Sequence, residues 1–239
     1  MTSIRRIYRF TAGKWEELAD MIALETRLSI HLDGELLQTI YFLPSDPELL
    51  VLGYLFHAGL IESGDEVESF AFDPDQNRAW VKRRAPEVKA AGVPAPPEAG
   101  TPALSPATVR RLADALAGNR LFRQTGAVHC GLLAREDAVL FSTEDTGRLN
   151  VLDKLTGFLL RERLVPGELI LAFSGRLTAQ VVNRVTRMGI PVVVSPAAPT
   201  SEGLGIAAAQ GITLAGFTRG ERFNVYTHPE RLIVNPARG

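Results

Sequence analysis

The sequence predicts an α/β protein, α+β in its layering, in which a β-rich N-terminal part precedes a mixed sheet with helices on both faces. Three observations carry that reading. Residues 1–83 break into short alternating strands around one apolar helix. A proline-rich stretch, 84–105, interrupts them. From Thr125 onward, amphipathic helices and short apolar strands alternate, the βαβ pattern of a partly parallel sheet, giving a third region at 106–239.

In chain order, residues 3–43 read as strands. Arg27–Leu32 alternates apolar and polar residues, Asp33-Gly34 is a two-residue hairpin signal, and Leu36–Phe42 returns. His31 falls on the polar phase and reads as a surface residue. Asp46-Pro47 gives an N-cap and a first-turn proline for a helix from Pro47 to Ala58 that is apolar nearly all round, hence buried. His57 and Gly59 read as its C-terminal signals, the histidine suiting the helix dipole. Glu66–Phe72 and Arg78–Lys82 give two more strands. Arg84–Ser105 holds Pro86, Pro94, Pro96, Pro97 and Pro102 and almost no large apolar side chain, so it reads as a flexible loop.

Ser105-Pro106 repeats the cap signal, and Val109, Leu112, Ala113 and Leu116 line one face of the helix that follows. Gly126 is expected to open a short helix carrying His129 and Cys130. Ala138–Ser142 reads as a strand and Arg148–Arg161 as a helix with Leu152, Leu155 and Leu159 inward. Leu169–Phe173 is a buried strand, and Thr178–Met188 a helix burying Val181, Val182, Val185 and Met188. Val192–Ser195 is a strand, Ser201–Gln210 a helix capped by Thr200, and Ile212–Phe217 the last strand before Phe223–Thr227.

Composition bounds the function. The 239 residues are 46% apolar and 22% charged, ordinary for a chain with a sizeable core. A net charge of −1 argues against nucleic acid or a membrane surface as partner, so any anion site must be local. The one cysteine, Cys130, excludes an intrachain disulfide and a cysteine-rich metal site, and fits a reducing, cytoplasmic setting. MTSIRRIYRF has no apolar segment of signal-peptide type, and no run reaches the ~18 apolar residues of a membrane helix.

The best candidate for chemistry is GFTRGERFNVYTHP, residues 216–229. Arg219 and Arg222 flank Gly220, where a glycine lets backbone N–H groups approach an anion, and a guanidinium fork suits a phosphate. Other strands end in kindred segments: Glu144-Asp145-Thr146-Gly147-Arg148, Ser174-Gly175-Arg176 and Ser195–Thr200. Ligands of such sheets sit at strand carboxyl ends, and helix amino ends bind anions, so these segments together predict an anion or nucleotide cleft.

TGAVH (125–129), EDTGRLNVLDKLTG (144–157), SGR (174–176), PTS (199–201) and GFTRGERFNVYTHPERL (216–232) closely resemble the formate dehydrogenase accessory sulfurtransferases, the FdhD family. ALETRLSIHLDG and LGYLFHAGLI fit the same pattern, so the likeness spans essentially the whole chain. It implies a cytidine-deaminase-like core and a homodimer. It also implies persulfide sulfur passed from a cysteine desulfurase to the molybdenum cofactor in its bis-guanine dinucleotide form, on the way to formate dehydrogenase. The family's cofactor segment matches Phe217, Thr218, Arg219, Gly220, Glu221 and Arg222. With them, Ser174, Gly175, Arg176, Arg148, His129 and Asp145 are the candidates for holding the cofactor, or GDP as its mimic, with no metal bound directly.

The departures bear on chemistry. The family places its carrier cysteine in a Cys-x-x-Cys loop before the Ser-Pro helix, and 84–105 contains none. The usual Arg-His-Asn is Arg148-Leu149-Asn150, a usual glutamate is Gln180, and His-Ala-Ala is His129-Cys130-Gly131. Sulfur transfer needs a thiolate. The expected function is therefore an FdhD-like accessory protein that binds the cofactor's guanine nucleotide without a carrier of its own. The alternative is an active sulfurtransferase that uses Cys130, activated beside His129, or a partner's cysteine. A zinc deaminase would need a His-x-Glu and a Pro-Cys-x-x-Cys, and neither is present.

Overall fold

The computed structural model describes residues 1–84 and 102–233. The first two strands, β1 (Thr2–Thr11) and β2 (Lys14–Ala23), pair only with each other as a ten-residue antiparallel hairpin. A four-stranded sheet follows in the order β4-β3-β6-β5, built from β3 (Thr26–Leu32), β4 (Glu35–Phe42), β5 (Val67–Asp73) and β6 (Arg78–Arg83). Asp33 and Gly34, with φ of 51° and 93°, make the turn between β3 and β4, as their sequence predicts. Leu28, Ile30, Leu32, Ala79 and Val81 face inward onto α1 (Pro47–His57).

Helix α1 is buried as expected, but neither of its ends works as the sequence suggests. Asp46 has a left-handed backbone (φ 48°, ψ 49°) and makes no side-chain cap bond, because capping needs the extended geometry that this residue lacks. At the other end the His57 side chain is buried, and its Nε2 lies 2.9 Å from Thr156 Oγ1 of α4 (Arg148–Glu162). Helices α1 and α4 cross at two glycines. A Cβ on Gly53 would stand 1.8 Å from the Asp153 carbonyl oxygen, and one on Gly157 2.0 Å from that of Leu49. This crossing fastens the N-terminal sheet to the second half of the chain.

The larger sheet runs β12-β11-β10-β9-β7-β8: β7 (His129–Arg135), β8 (Ala138–Asp145), β9 (Ile170–Phe173), β10 (Val192–Val194), β11 (Thr213–Arg219) and β12 (Arg222–Val225). β9, β10 and β11 are parallel, β7 is antiparallel to β9, and β8 is antiparallel to β7. Helices cover both faces. On one side α4, α5 (Ala179–Met188) and α6 (Ser201–Ala209) pack over Leu133, Leu171, Val193 and Leu214. On the other, α2 (Pro106–Ala117) and α3 (Arg120–Thr125) pack over Leu132, Ile170, Val194 and Ala215. The mixed α/β class is as expected. Ser105 and Thr200 cap α2 and α6 as predicted, accepting from Thr108 N and Gly203 N.

One element differs. Gly126 does not open a helix: it ends α3 in the left-handed conformation (φ 64°), and His129 and Cys130 begin β7. Val128, Cys130, Leu132 and Ala134 face one core while Leu133 faces the other, so an interior strand shows an unbroken apolar run rather than alternation. The proline-rich loop expected at 84–105 falls, for 85–101, outside the described residues. Of its remainder, Leu104 is fully buried and bridges Leu232.

Candidate functional site

Strand directions put the carboxyl ends of β8, β9, β10 and β11 and the amino end of β7 along one edge of the sheet. His129 opens β7 there, half-buried, its ring stacked on Phe173 with centroids 6.4 Å apart. Its Nδ1 lies 3.5 Å from Ser174 Oγ. Ser174 is fixed in turn, its Oγ accepting from Cys130 N at 2.8 Å and its N–H donating to Cys130 O at 2.9 Å. A Cβ on Gly175 would strike the Phe173 ring at 2.6 Å, so a glycine is required beside the histidine. Ser195 Oγ donates to Gly175 O at 3.1 Å, and Thr218 N donates to Ser195 O at 3.2 Å. An unbroken chain of contacts thus runs from His129 through Ser174, Gly175 and Ser195 to Thr218.

The edge favours anions. α4 and α5 both begin there, and no side chain caps either amino end. Arg148 sits in the first turn of α4, and among the described residues its side chain is bonded only to Gln180 Oε1, at 3.2 Å. Burial, and then the nearby Arg148 and Arg176, lower the pKa of His129, so its ring is neutral near pH 7 and offers one donor and one acceptor. Glu144 Oε2, Thr146 Oγ1, Thr178 Oγ1 and Thr218 Oγ1 are buried without a hydrogen-bond partner among the described residues. Buried polar atoms are nearly always paired, so this cluster along one edge suits a polar ligand.

The expected residues separate into three groups. His129, Arg148, Ser174, Gly175, Arg176 and Thr218 gather on the edge. Phe217, Arg219, Gly220, Glu221 and Arg222 belong to the β11–β12 hairpin that projects from it. A bulge between Gly216 and Arg219, with Phe217 at φ 52°, redirects this hairpin, and Gly220 turns it at φ 56°. Arg219 and Arg222 face each other across its end and are exposed, whereas Glu221 is drawn to Arg110 at 2.7 Å. Asp145 does not open onto the edge. It is fully buried, 2.8 Å from Lys154 Nζ, and accepts from Leu43 N, Gly147 N and Asn150 Nδ2. It shapes the β8–α4 turn from below.

Cys130 does not fit the alternative reading. The activation that reading gives it needs a helix amino end, whereas Cys130 lies at the start of β7. The side chain is buried in the core between the sheet and α2–α3. Desolvation, then the Glu144 charge, push its thiol up to about 12, so the thiolate needed for sulfur chemistry is suppressed.

Sequence reading names Ser195 and Glu144 within strand-end segments but gives neither a role of its own, and it passes over Lys154. Ser195 directly follows a Val-Val-Val strand, a position that could have marked it. Lys154 gives no such signal, because charge normally faces water.

These features define an α/β protein with a candidate anion-binding edge: a sheet edge with two open helix amino ends, a neutral histidine and a basic hairpin. Comparison with known proteins gives the family. The FdhD/NarQ family profile matches residues 23–94 and 87–233, and the chain belongs to that family. It is 32% identical to the "Sulfur carrier protein FdhD" of Geobacillus kaustophilus, across 96% of this chain and 97% of that one. It is 34% identical to the protein of the same description from Anaeromyxobacter dehalogenans, across 89% and 88%. A crystal structure described as a formate dehydrogenase accessory protein from Desulfotalea psychrophila superposes with a TM-score of 0.84 at 29% identity, covering 97% of this chain and 99% of that one.

Proposed function

We propose that this protein is an accessory factor for formate dehydrogenase that holds the guanine nucleotide of the molybdenum cofactor, in its bis-guanine dinucleotide form, and carries no sulfur on its own chain. The carrying observation is the sheet edge, along which stand four buried oxygens without a hydrogen-bond partner among the described residues, two uncapped helix amino ends and His129. That set fits a nucleotide: phosphates at the helix ends and on Arg148, Arg176, Arg219 and Arg222, a purine edge against the neutral His129 and Thr218. The bound cofactor supplies the molybdenum chemistry; these residues bind and orient its nucleotide.

Sulfur delivery falls to another protein's cysteine, a desulfurase or a thiol-bearing relative, because the one thiol here is buried and protonated. A homodimer and a cytoplasmic setting complete the proposal. Among the described residues no helix is long and apolar enough to cross a membrane.

Titration calorimetry with GDP tests the binding half. One nucleotide per chain is expected, and no heat at millimolar GDP would overturn the reading. Intact-mass spectrometry after incubation with a cysteine desulfurase and cysteine tests the other half. No adduct is expected, whereas a gain of about 32 Da, one sulfur atom, that disappears in Cys130→Ser would make the chain a carrier.

A further inference from the structure

A further cavity of about 350 Å³ lies between α4 and α5, lined by His57, Leu149, Gln180, Asn183, Arg184 and Arg187, and it adjoins the edge at Gln180, which accepts from Arg148. Its volume is that of a small-ligand site. Gln180, Asn183, Arg184 and Arg187 follow at helical spacing, so α5 presents one polar stripe to it. With a rise of 1.5 Å per residue, Arg184 lies about 6 Å further from the sheet edge than Gln180.

The cations here are unequally satisfied. Arg187 is held by two hydrogen bonds and a ring: Nε donates to Phe56 O at 2.7 Å, Nη2 to Glu62 at 2.9 Å, and the guanidinium stacks 4.7 Å from the Phe56 ring centroid. Arg184 is not. Its side chain is only 22% exposed, yet among the described residues it makes no hydrogen bond, only a 3.6 Å charge contact with Asp153 Oδ2. Asp153 is a poor partner. It is almost wholly buried, its Oδ1 has no hydrogen bond among the described residues, and desolvation raises its pKa to about 7, so near neutrality it carries part of a charge. His57, the other ring on the cavity, stays neutral because burial lowers its pKa to about 3. Asn183 is exposed on the same stripe with no hydrogen bond among the described residues. A guanidinium with up to five idle N–H donors, beside an idle amide in a concave site, is built for an oxyanion.

We propose that this cavity is a second anion site, taking a phosphate-type oxyanion on Arg184 and Asn183, beside the nucleotide edge. The oxyanion is either free phosphate or the phosphate of a larger ligand. The inference does not depend on the nucleotide reading.

Phosphorus NMR or calorimetry with inorganic phosphate tests it on four proteins. Wild type should bind phosphate at millimolar concentration or better. Arg184→Gln should weaken binding about tenfold or more. Asn183→Asp, which sets a negative charge in the cavity on an exposed side chain, should weaken it as much with the fold intact, and so decides the matter if Arg184→Gln does not fold. Arg222→Ala should leave phosphate binding unchanged. Absence of phosphate binding in wild type, or binding unmoved by Asn183→Asp, overturns the proposal. GDP locates the source: if phosphate leaves the apparent GDP affinity unchanged, the anion is free phosphate in its own site. If GDP displaces phosphate from wild type and Asn183→Asp weakens both, the site receives a ligand's phosphate. If GDP displaces phosphate and Asn183→Asp weakens neither, both bind only at the edge and the second site is refuted.

Discussion

Two sets of charged residues meet the same edge of the large sheet, and burial decides what each can do. Asp145 and Lys154 are both fully buried, 2.8 Å apart, and Lys154 Nζ also reaches Ser45 Oγ at 3.0 Å and Glu144 O at 3.1 Å. Asp145 accepts three further N–H bonds. Together they tie the loop before α1, the end of β8 and the first turn of α4, which fixes where Arg148 stands. The side chains of Arg219 and Arg222, on the exposed hairpin tip, have no hydrogen-bonding partner among the described residues. The sequence marks Asp145, Arg219 and Arg222 alike as polar residues near a strand end, and gives no sign of Lys154. The buried pair holds the site's shape, and the exposed pair is free to meet a ligand.

That contrast breaks first at Lys154. Lys154→Met removes the cation and leaves a buried carboxylate with one partner gone. A loss of about 3–5 kcal/mol in urea unfolding is expected, because an uncompensated buried charge costs more than the pair contributes. A change below about 1 kcal/mol would show that the pair does not anchor the edge. Gly53→Ala strikes the same α1–α4 junction. Its Cβ has only 1.8 Å to a backbone oxygen, so the helices must part, at about 1–3 kcal/mol. An unchanged Tm would mean that they are not in contact as described.

At the hairpin the expectation reverses. Arg222→Ala should weaken GDP binding about ten- to hundredfold, as for the loss of a charge-assisted hydrogen bond, while leaving the urea midpoint where it was. An Arg222→Ala protein that binds GDP as tightly as wild type would remove the hairpin from the site. One that unfolds early would erase the distinction between the two regions.

Much of this architecture is legible in the sequence because local chemistry and tertiary structure agree there. Asp33-Gly34, Ser105-Pro106 and Thr200 carry turn and cap signals that packing does not override. The strand-end segments fall together on one edge because a parallel sheet collects its strand ends on one side. The misses share a cause, burial on more than one side. His129–Ala134 lies inside the sheet between two cores, so it lost the alternation that marks a strand, and its cysteine was credited with a helix end it does not have. α4 is pressed between α1 and the sheet, so Asp153 and Lys154, polar in any periodic reading, are interior. His57 reads as a cap for the same reason: nothing local announces that another helix covers it.

The smallest effect expected is a pH profile, which comes from the two buried titratable groups at the α1–α4 junction. The folded pKa of Asp153 is raised from 3.8 to about 7, so the folded state holds a proton that the unfolded chain has released. Its contribution to stability is complete below about pH 4 and is lost as pH rises toward 7. The folded pKa of His57 is depressed from 6.5 to about 3, so here the unfolded chain binds the proton first. That contribution is complete above about pH 6.5 and is lost as pH falls toward 3. Between about pH 4 and 6.5 the two slopes oppose each other, each about 1.4 kcal/mol per pH unit for one proton, and their sum is nearly flat. Asp153→Asn removes one slope and leaves the other. Its unfolding free energy should fall by about 1 kcal/mol per unit on acidification through that window, where wild type barely moves. Equal slopes in the two proteins would show that Asp153 is ionised in the folded state. Arg184 would then be fully compensated, and the case for an anion beside it would lose its electrostatic basis.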